Sequence, residues 1–509
     1  MLNKEIMGKA IPFILFFIIF FTYIFTMAPS IYWGDSPELI AVAYTLGIAH
    51  PSGYPLYTLL GKLFTFIPIG TIAYRLNIMS AFFASLTVIF LYFITFKIIK
   101  SRLAALFSSL TLGFSYTFWT QATIAEVYTL HAFFIVVLIL IIMKWAETIQ
   151  RFYLYLFSFV LGLGLTNHLT LILVFPAFIL FLFWHIKKLN IKHKNLIDKR
   201  IIFFMIAFFV MGFSLYIYLP LRAAQEPLLN WGNPVSFKLF IEHISGAGYQ
   251  QYFRPESALL NLEKAFLYLL TQFPLTLAFA LFGIIAIWTR DKAIVALTSL
   301  IVVFNLAYNI MYTIEDIIVY YIPIYIIFSL FIGVGLWYFL LFFKSNFYLF
   351  WHYAFLTVAF LLIIFNPFLL IYTYGVNGSL RFIDRSKFHA TDDYAKFMLA
   401  YAKPGSIITG DSDNVFFPLI YYQFVEGKRT DLIVLYKGLL ITSPWYIEQL
   451  RMRYSKSGLT IEGSEGNRSI VFNISTTLYS VIINPSLVDT FNATFIKEEN
   501  IQRLIAVPE

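Results

Sequence analysis

The sequence predicts a polytopic α-helical membrane protein that ends in a soluble α/β domain, and three observations carry that reading. Of 509 residues, 60% are hydrophobic and 20% aromatic, against 12% charged, a balance that soluble domains do not reach. Long apolar runs recur between residues 11 and 372, with Lys and Arg gathered at alternate ends of them, the asymmetry that orients chains in a bilayer. After Gly375 the charge rises, and strand-like and helical runs alternate, as in a small domain with its own core. The net charge of +9 therefore reflects topology and anionic lipid rather than nucleic acid. Cysteine is absent, which removes disulfides and thiolate chemistry.

Taken in order, Lys4 and Lys9 precede an apolar run over 11–28. It is too long for a signal h-region and lacks a small-residue cleavage site, so it is expected to be a first span entering from the cytoplasm. Spans follow at 77–96, 103–120 and 124–143. The apolar stretch 152–184 exceeds one span of about 20 residues, and Gly162, Gly164 and Thr166-Asn167-His168 interrupt its middle. Split near Asn167, it returns the basic run Lys187 to Arg200 to the cytoplasm and leaves His168 at the outer face. Spans at 201–219, 265–288, 293–313, 317–343 and 347–372 bring the expected total to about 11.

The transmembrane domain is thus expected over 1–374, with outer loops at 30–76 and 220–264 and an acidic outer turn at Glu315 and Asp316. Residues 375–509 should form the extracytoplasmic α/β domain. Strand-like runs at 406–409 and 432–435 alternate there with helical stretches at 392–402 and 444–454, and Asp411-Ser412-Asp413-Asn414 forms a loop. Glycosylation sequons fall at Asn377, Asn467, Asn473 and Asn492. The compartment is the inner or plasma membrane of a prokaryote, or the endoplasmic reticulum membrane of a eukaryote.

The first outer loop holds the most concentrated chemistry. Asp35 and Glu38, in Tyr-Trp-Gly-Asp-Ser-Pro-Glu, sit where hydrocarbon gives way to water, a costly place for an acid without a partner or a task. Ser36 suits an N-cap, Pro37 the first helical position, and Glu38 the first turn. Apolar residues over 38–48 recur at helical spacing, as in a helix lying along an interface. His50-Pro51-Ser52-Gly53-Tyr54-Pro55 then makes a tight turn. Two readings stay open on the residues alone: a helix cap that complements the dipole, or a functional acid at the membrane surface.

The pairing of Gly-Asp-Ser-x-Glu with Ala-His-Pro-x-Gly-Tyr-Pro-Leu-Tyr resembles a membrane family related to the protein O-mannosyltransferases, within the GT-C superfamily of glycosyltransferases. The resemblance spans most of the chain. It departs at Pro37 and Ser52, where glycine and proline are usual, and neither change removes a charged group. It implies a GT-C fold and transfer of a sugar, most readily mannose, from a polyprenyl-phosphate donor to Ser or Thr of an acceptor protein. It also implies that Asp35 is the base, with Glu38 beside it.

Such a donor needs a base for the acceptor hydroxyl, donors or cations for the leaving phosphate, and an apolar groove for its tail. Arg222, at the end of a span in Tyr-Leu-Pro-Leu-Arg, leads the phosphate candidates; the alternative is an interfacial Arg that snorkels. His168 and His50 are further phosphate candidates, each also readable as a His that locks a helix end or turn. The resemblance extends to Trp231 in Pro-Leu-Leu-Asn-Trp-Gly-Asn-Pro, although Asn233 stands where an acid is usual. Glu126, Tyr54, Trp231 and Asp316 are expected to support the acceptor and the site. Asp35, Glu38, Glu126 and Asp316 offer hard oxygen ligands, but no spacing defines a metal site, and neither metal nor cofactor is expected beyond the lipid-linked donor. The expected partners are that donor, an acceptor protein and the bilayer. A glycan or lipid acceptor is the first alternative. A transporter of lipid-linked saccharide is the second, pointed to only by Asn305 and Asn309 inside a span. The sequence holds no P-loop, Gly-x-Ser-x-Gly elbow or His-Glu-x-x-His helix.

Overall fold

The computed structural model describes residues 2–190, 198–346, 349–364, 383–410 and 412–454, with strand segments at 459–463, 470–474, 481–483, 493–498 and 501–506. Among them, six helices are long and apolar enough to cross a membrane: Ile72–Ile99, Tyr128–Thr148, Leu169–Lys187, Lys199–Ala223, Lys292–Asn309 and Ile317–Phe342. Five shorter apolar helices, Ala10–Thr26, Arg102–Gly113, Arg151–Leu165, Phe279–Trp288 and Tyr353–Ile363, pack among them. Many apolar side chains on the outside of this bundle are exposed, Phe25, Phe183 and Phe203 among them, as lipid-facing helices require. The chain is a multi-pass membrane protein.

The stretch 152–184 divides where its polar residues predict. Helix Arg151–Leu165 ends at Thr166, and a 3-10 segment Leu169–Val174 opens the next helix. Two expected spans are broken instead of continuous. Residues 103–120 split into Arg102–Gly113 and Tyr116–Ala122, and 265–288 splits at Phe273–Ala278 between Ala258–Gln272 and Phe279–Trp288. Asn305 and Asn309 donate to the Ile301 and Tyr320 carbonyls at 2.8 and 3.0 Å. Their side-chain N–H groups are thus bonded within the bundle, while Asn309 Oδ1 is buried without a partner among the described residues.

Loops from distant parts of the sequence gather at one end of the bundle. Ala28 N–H donates to Thr123 O, Ile48 N–H to Leu229 O, Leu56 N–H to Thr166 O and Thr313 N–H to Tyr252 O. The other end collects cations and their partners: Lys97 pairs with Glu147 at 2.5 Å, Arg151 with Asp198 at 3.9 Å, and Arg290 donates to Ile99 O. A cleft of about 690 Å³ lined by Phe181, Trp184, Lys187 and Leu297 lies towards that cationic end, away from the gathered loops.

The C-terminal unit starts with helix Ala390–Tyr401. Strands β1 (Ile407–Gly410), β2 (Ile433–Tyr436) and β5 (Val481–Ile483) form a parallel sheet in the order β2-β1-β5. Helix Asp413–Phe424 connects β1 to β2, the crossover that parallel pairing demands. Strands β3 (Leu459–Gly463), β4 (Ile470–Ile474), β6 (Ala493–Glu498) and β7 (Ile501–Ala506) form an antiparallel sheet in the order β3-β4-β7-β6. Asn473 lies in β4; Asn377, Asn467, Asn492 and Asp411 fall outside the described residues.

The first loop and this unit are joined closely. Ser30 Oγ donates to Asp392 at 2.9 Å, Gly34 N–H to Asn414 Oδ1 at 2.8 Å, and Arg385 N–H to Thr26 O at 2.8 Å. Helix Ser36–Thr45 packs against helix Asp413–Phe424, and its residues from Ser36 to Ala43 are buried. The expected interfacial helix is therefore a covered one. Its apolar residues face protein on all sides, which is why no polar stripe was needed.

Candidate active site

The site begins with how the first helix of the loop starts. Asp35, not Ser36, occupies the N-cap position, with helical dihedrals and no side-chain cap bond. Ser36 Oγ is buried without a hydrogen-bond partner. Asp35 therefore spends none of its carboxylate on the helix, and 34% of its side chain stays accessible. Of the helix-cap reading only the charge–dipole part is left, since Asp35 makes no cap bond. Glu38, one turn on, is 1% exposed and points inward.

The turn after this helix brings His50 back onto both acids. Glu38 Oε1 accepts the His50 backbone N–H at 2.8 Å, and Glu38 Oε2 lies 2.5 Å from His50 Nδ1. His50 Nε2 is 2.9 Å from the Tyr54 hydroxyl and 3.7 Å from Asp35 Oδ2. Tyr54, at φ +44°, also reaches Pro51 O. Burial disfavours the imidazolium, but the charges of Glu38 and Asp35, with Asp413 beyond them, outweigh it and hold His50 up to about 10. It is a cation at neutral pH. Burial pushes the Asp35 carboxyl above the usual range; His50 offsets part of that, and Glu38 adds to it. The result is a more basic carboxylate held beside a fixed cation.

Other acids converge on the same space. Burial and the charges of Asp35 and Asp316 push Glu126 well above the usual range. Asp316, at the rim, is raised to about 6 by burial and by Asp35. Asp413, from the C-terminal unit, is raised by burial and Asp35, against a hydrogen bond from Tyr436. An aromatic wall backs them. His168 packs 6.0 Å from Tyr54, 5.5 Å from Tyr128 and 5.5 Å from Tyr320, measured between ring centres. Its Nδ1 lies 2.6 Å from Thr170 Oγ1, and burial, with His50, lowers it to about 3. His168 is therefore a neutral imidazole, able to donate one hydrogen bond but not to supply charge.

The structure does not bring Arg222 into this cluster. Its Nε donates to Leu46 O at 2.5 Å, Nη2 to Thr45 O at 3.2 Å, and Nη1 to Gln225 Oε1 at 2.5 Å. The guanidinium thus closes the C-terminal end of helix Ser36–Thr45, whose last carbonyls are otherwise unsatisfied. The cation that faces Asp35 is His50. Trp231 lies 6.3 Å from the His50 ring and also meets Phe417, Tyr436 and Trp445 of the C-terminal unit. Sequence reasoning assigned no role to Asp413 or to Arg385. Arg385 is buried, donates to Thr120 O at 2.6 Å and stacks 4.1 Å over the Tyr32 ring, so it staples the C-terminal unit to the start of the loop. The only hint was that both lie in a polar stretch after a long apolar chain.

Asp35, Glu38 and His50 could each offer one atom to a cation, all within 4.8 Å of one another. Both His50 nitrogens already have hydrogen-bond partners, and a ligating nitrogen must be free of its proton. Without a cation the three groups form an ion-paired triad.

Comparison with known proteins follows the same lines. Residues 35–192 match the model of the "Protein O-mannosyl-transferase TMEM260 N-terminal domain", and residues 391–470 that of the "TMEM260-associated domain 2". The chain is 28% identical over 246 residues to Protein O-mannosyl-transferase TMEM260 of Mus musculus, across 47% of this chain and 33% of that protein. It is 30% identical over 251 residues to Protein O-mannosyl-transferase tmem260 of Dictyostelium discoideum, across 43% of this chain and 28% of that protein. The matched region is thus about a third of each relative's length. The fold resembles that of ArnT from Cupriavidus metallidurans in the apo state, with a TM-score of 0.53 and 13% identity over 99% of this chain and 98% of that one. These matches bear out the resemblance drawn from the motifs, and the fold is like that of ArnT.

Proposed function

We propose, starting from a chain whose motifs, fold and family matches lie with the GT-C protein O-mannosyltransferases, that it is an inverting glycosyltransferase. It moves mannose from a polyprenyl-phosphate donor to Ser or Thr of an acceptor protein, on the extracytoplasmic side of the membrane. The observation that carries this reading is the Asp35 carboxylate. It is free of the helix it precedes, accessible, and 3.7 Å from a cationic His50 that Glu38 holds in place.

In this mechanism the acceptor oxygen attacks the anomeric carbon as its proton passes to Asp35. The bond from that carbon to the phosphate oxygen breaks, the electron pair leaves with the phosphate, and the configuration inverts. The raised basicity of Asp35 suits it to take the proton. The imidazolium of His50, with the Tyr54 hydroxyl and the neutral His168, stabilises the leaving phosphate; Arg222 acts at one remove, by fixing the helix that carries Glu38. Glu126 and Asp316 support the site, and no metal takes part. The names of the curated relatives support protein as the acceptor. The cations at the opposite end of the bundle support a cytoplasmic N-terminus by the positive-inside rule.

The test uses membranes holding either the intact chain or Asp35→Asn, supplied with polyprenyl-phosphate mannose and a proteome, and read by glycopeptide mass spectrometry. Mannose on Ser or Thr with the intact chain alone is the expected result. Mannose on glycan or lipid instead would shift the acceptor class, and equal transfer by the variant would end the mechanism.

A further inference from the structure

The mechanism above leaves one acid of the cluster without a task. Asp413 is the first residue of helix Asp413–Phe424, in a part of the chain remote from the catalytic loop. Its neighbour Asn414 takes the Gly34 N–H at 2.8 Å, one residue before Asp35, so the two loops are registered against each other. Asp413 Oδ1 accepts from the Tyr436 hydroxyl at 2.8 Å, and the residue is only half-buried. Trp231 completes the wall, since its ring meets His50 at 6.3 Å, Tyr436 at 6.4 Å and Trp445 at 5.8 Å.

A carboxylate with one oxygen fixed, and with no hydrogen bond at the other among the described residues, accepts hydrogen bonds and repels anions. It is ill suited to the donor phosphate. It is well suited to a ligand that presents N–H groups, and a polypeptide presents one per residue. Beyond Tyr436, Trp231 and Trp445 offer flat apolar surface for the side chains flanking a reacting Ser or Thr. The alternative, a purely structural Asp413 that anchors the C-terminal unit, is less apt: that anchoring is already done by Ser30 with Asp392, by Gly34 with Asn414 and by Arg385 with Thr26.

We infer that Asp413, held by Tyr436, is an acceptor-binding residue: it takes a hydrogen bond from a backbone N–H of the acceptor polypeptide next to the hydroxyl that Asp35 deprotonates. This rests on the protein O-mannosyltransferase reading and adds where the acceptor lies, along the wall supplied by the C-terminal unit.

The test compares the intact full-length chain, Asp413→Ala and Tyr436→Phe in nanodiscs, with polyprenyl-phosphate mannose as donor. Acceptors are a Ser/Thr peptide and versions of it methylated at single backbone nitrogens around the Ser or Thr. For the intact chain, one N-methyl position should raise the acceptor KM about ten- to a hundredfold, the size of a lost charge-assisted hydrogen bond. Asp413→Ala should raise the KM of the unmethylated peptide by a like factor, with the donor KM within about twofold, and should then be indifferent to that methyl group. Tyr436→Phe, which removes only one oxygen, should raise the acceptor KM by a smaller factor. Losses that multiply, or an acceptor KM untouched by Asp413→Ala, overturn this inference alone. No transfer to any peptide by the intact chain overturns the parent reading and this one with it.

Discussion

At the scale of single residues, the geometry of the candidate site turns on Glu38, a buried acid. It takes both the backbone N–H and the Nδ1 side of His50, and with Asp35 it holds that histidine up to about 10. A histidine whose folded pKa exceeds its unfolded one stabilises the fold fully below about 6.5 and loses that contribution as pH rises through about 10. The protein should therefore melt at lower temperature at pH 10 than at pH 7. Glu38→Gln should flatten that slope, and thermal melts of the intact chain, Glu38→Gln and His50→Gln across this range check it. Asp35→Asn should lower transfer about a hundred- to ten-thousandfold, the usual worth of a general base, with little change in melting temperature. On the metal-free mechanism proposed above, a chelator should leave the initial rate unchanged, and an assay with and without EDTA decides that point. The position of Asp35 beside His50 and Glu38 was partly legible in the sequence, because an acid at the edge of an apolar run must be explained. The bonds of Arg222 to Leu46 O and Thr45 O could not be read from the sequence, because a cation at a span end looks the same whether it meets phosphate or carbonyls.

At the scale of elements, the Ser36–Thr45 helix is held at its far end by Arg222 and covered by helix Asp413–Phe424. Arg222→Ala should cost about 1.5–3 kcal/mol of stability through its lost carbonyl bonds, read as a fall in melting temperature with the donor KM unmoved. A raised donor KM at constant melting temperature would return Arg222 to the phosphate. Elsewhere in the bundle, helices Phe279–Trp288 and Ile322–Asn346 approach so closely that a Cβ at Gly335 would run into the Phe279 carbonyl, and one at Gly283 into that of Phe331. Gly335→Ala should destabilise by about 1–3 kcal/mol, as overpacking does, and a melting curve in detergent tests it. The helix boundary at Thr166 could be read from the sequence, since glycines and polar residues interrupt an apolar run there. The covering of the Ser36–Thr45 helix could not. Apolar side chains read alike against lipid and against protein, and the covering residues lie far along the chain.

At the scale of the whole molecule, two regions far apart in the sequence meet at one end of a membrane bundle. The transmembrane character followed from composition alone, whereas the meeting of Asp413 with the Asp35 loop depended on tertiary contacts that no local pattern encodes. The proposed sidedness is directly testable because the chain has no cysteine. Lys187→Cys and Lys428→Cys, each introduced singly at an exposed residue, should react with a membrane-impermeant maleimide from opposite faces. Labelling of both from one face would invert the topology for one of them.

The bond between Gly34 and Asn414 spans 380 residues, and this has a bearing on biosynthesis. The ribosome delivers the first loop early, yet the helix that covers it emerges only after most of the apolar helices have been made. Until then the Ser36–Thr45 helix is an apolar segment without its cover. The nascent protein must hold that segment out of trouble through most of translation, and the candidate site is complete only when its closing part arrives.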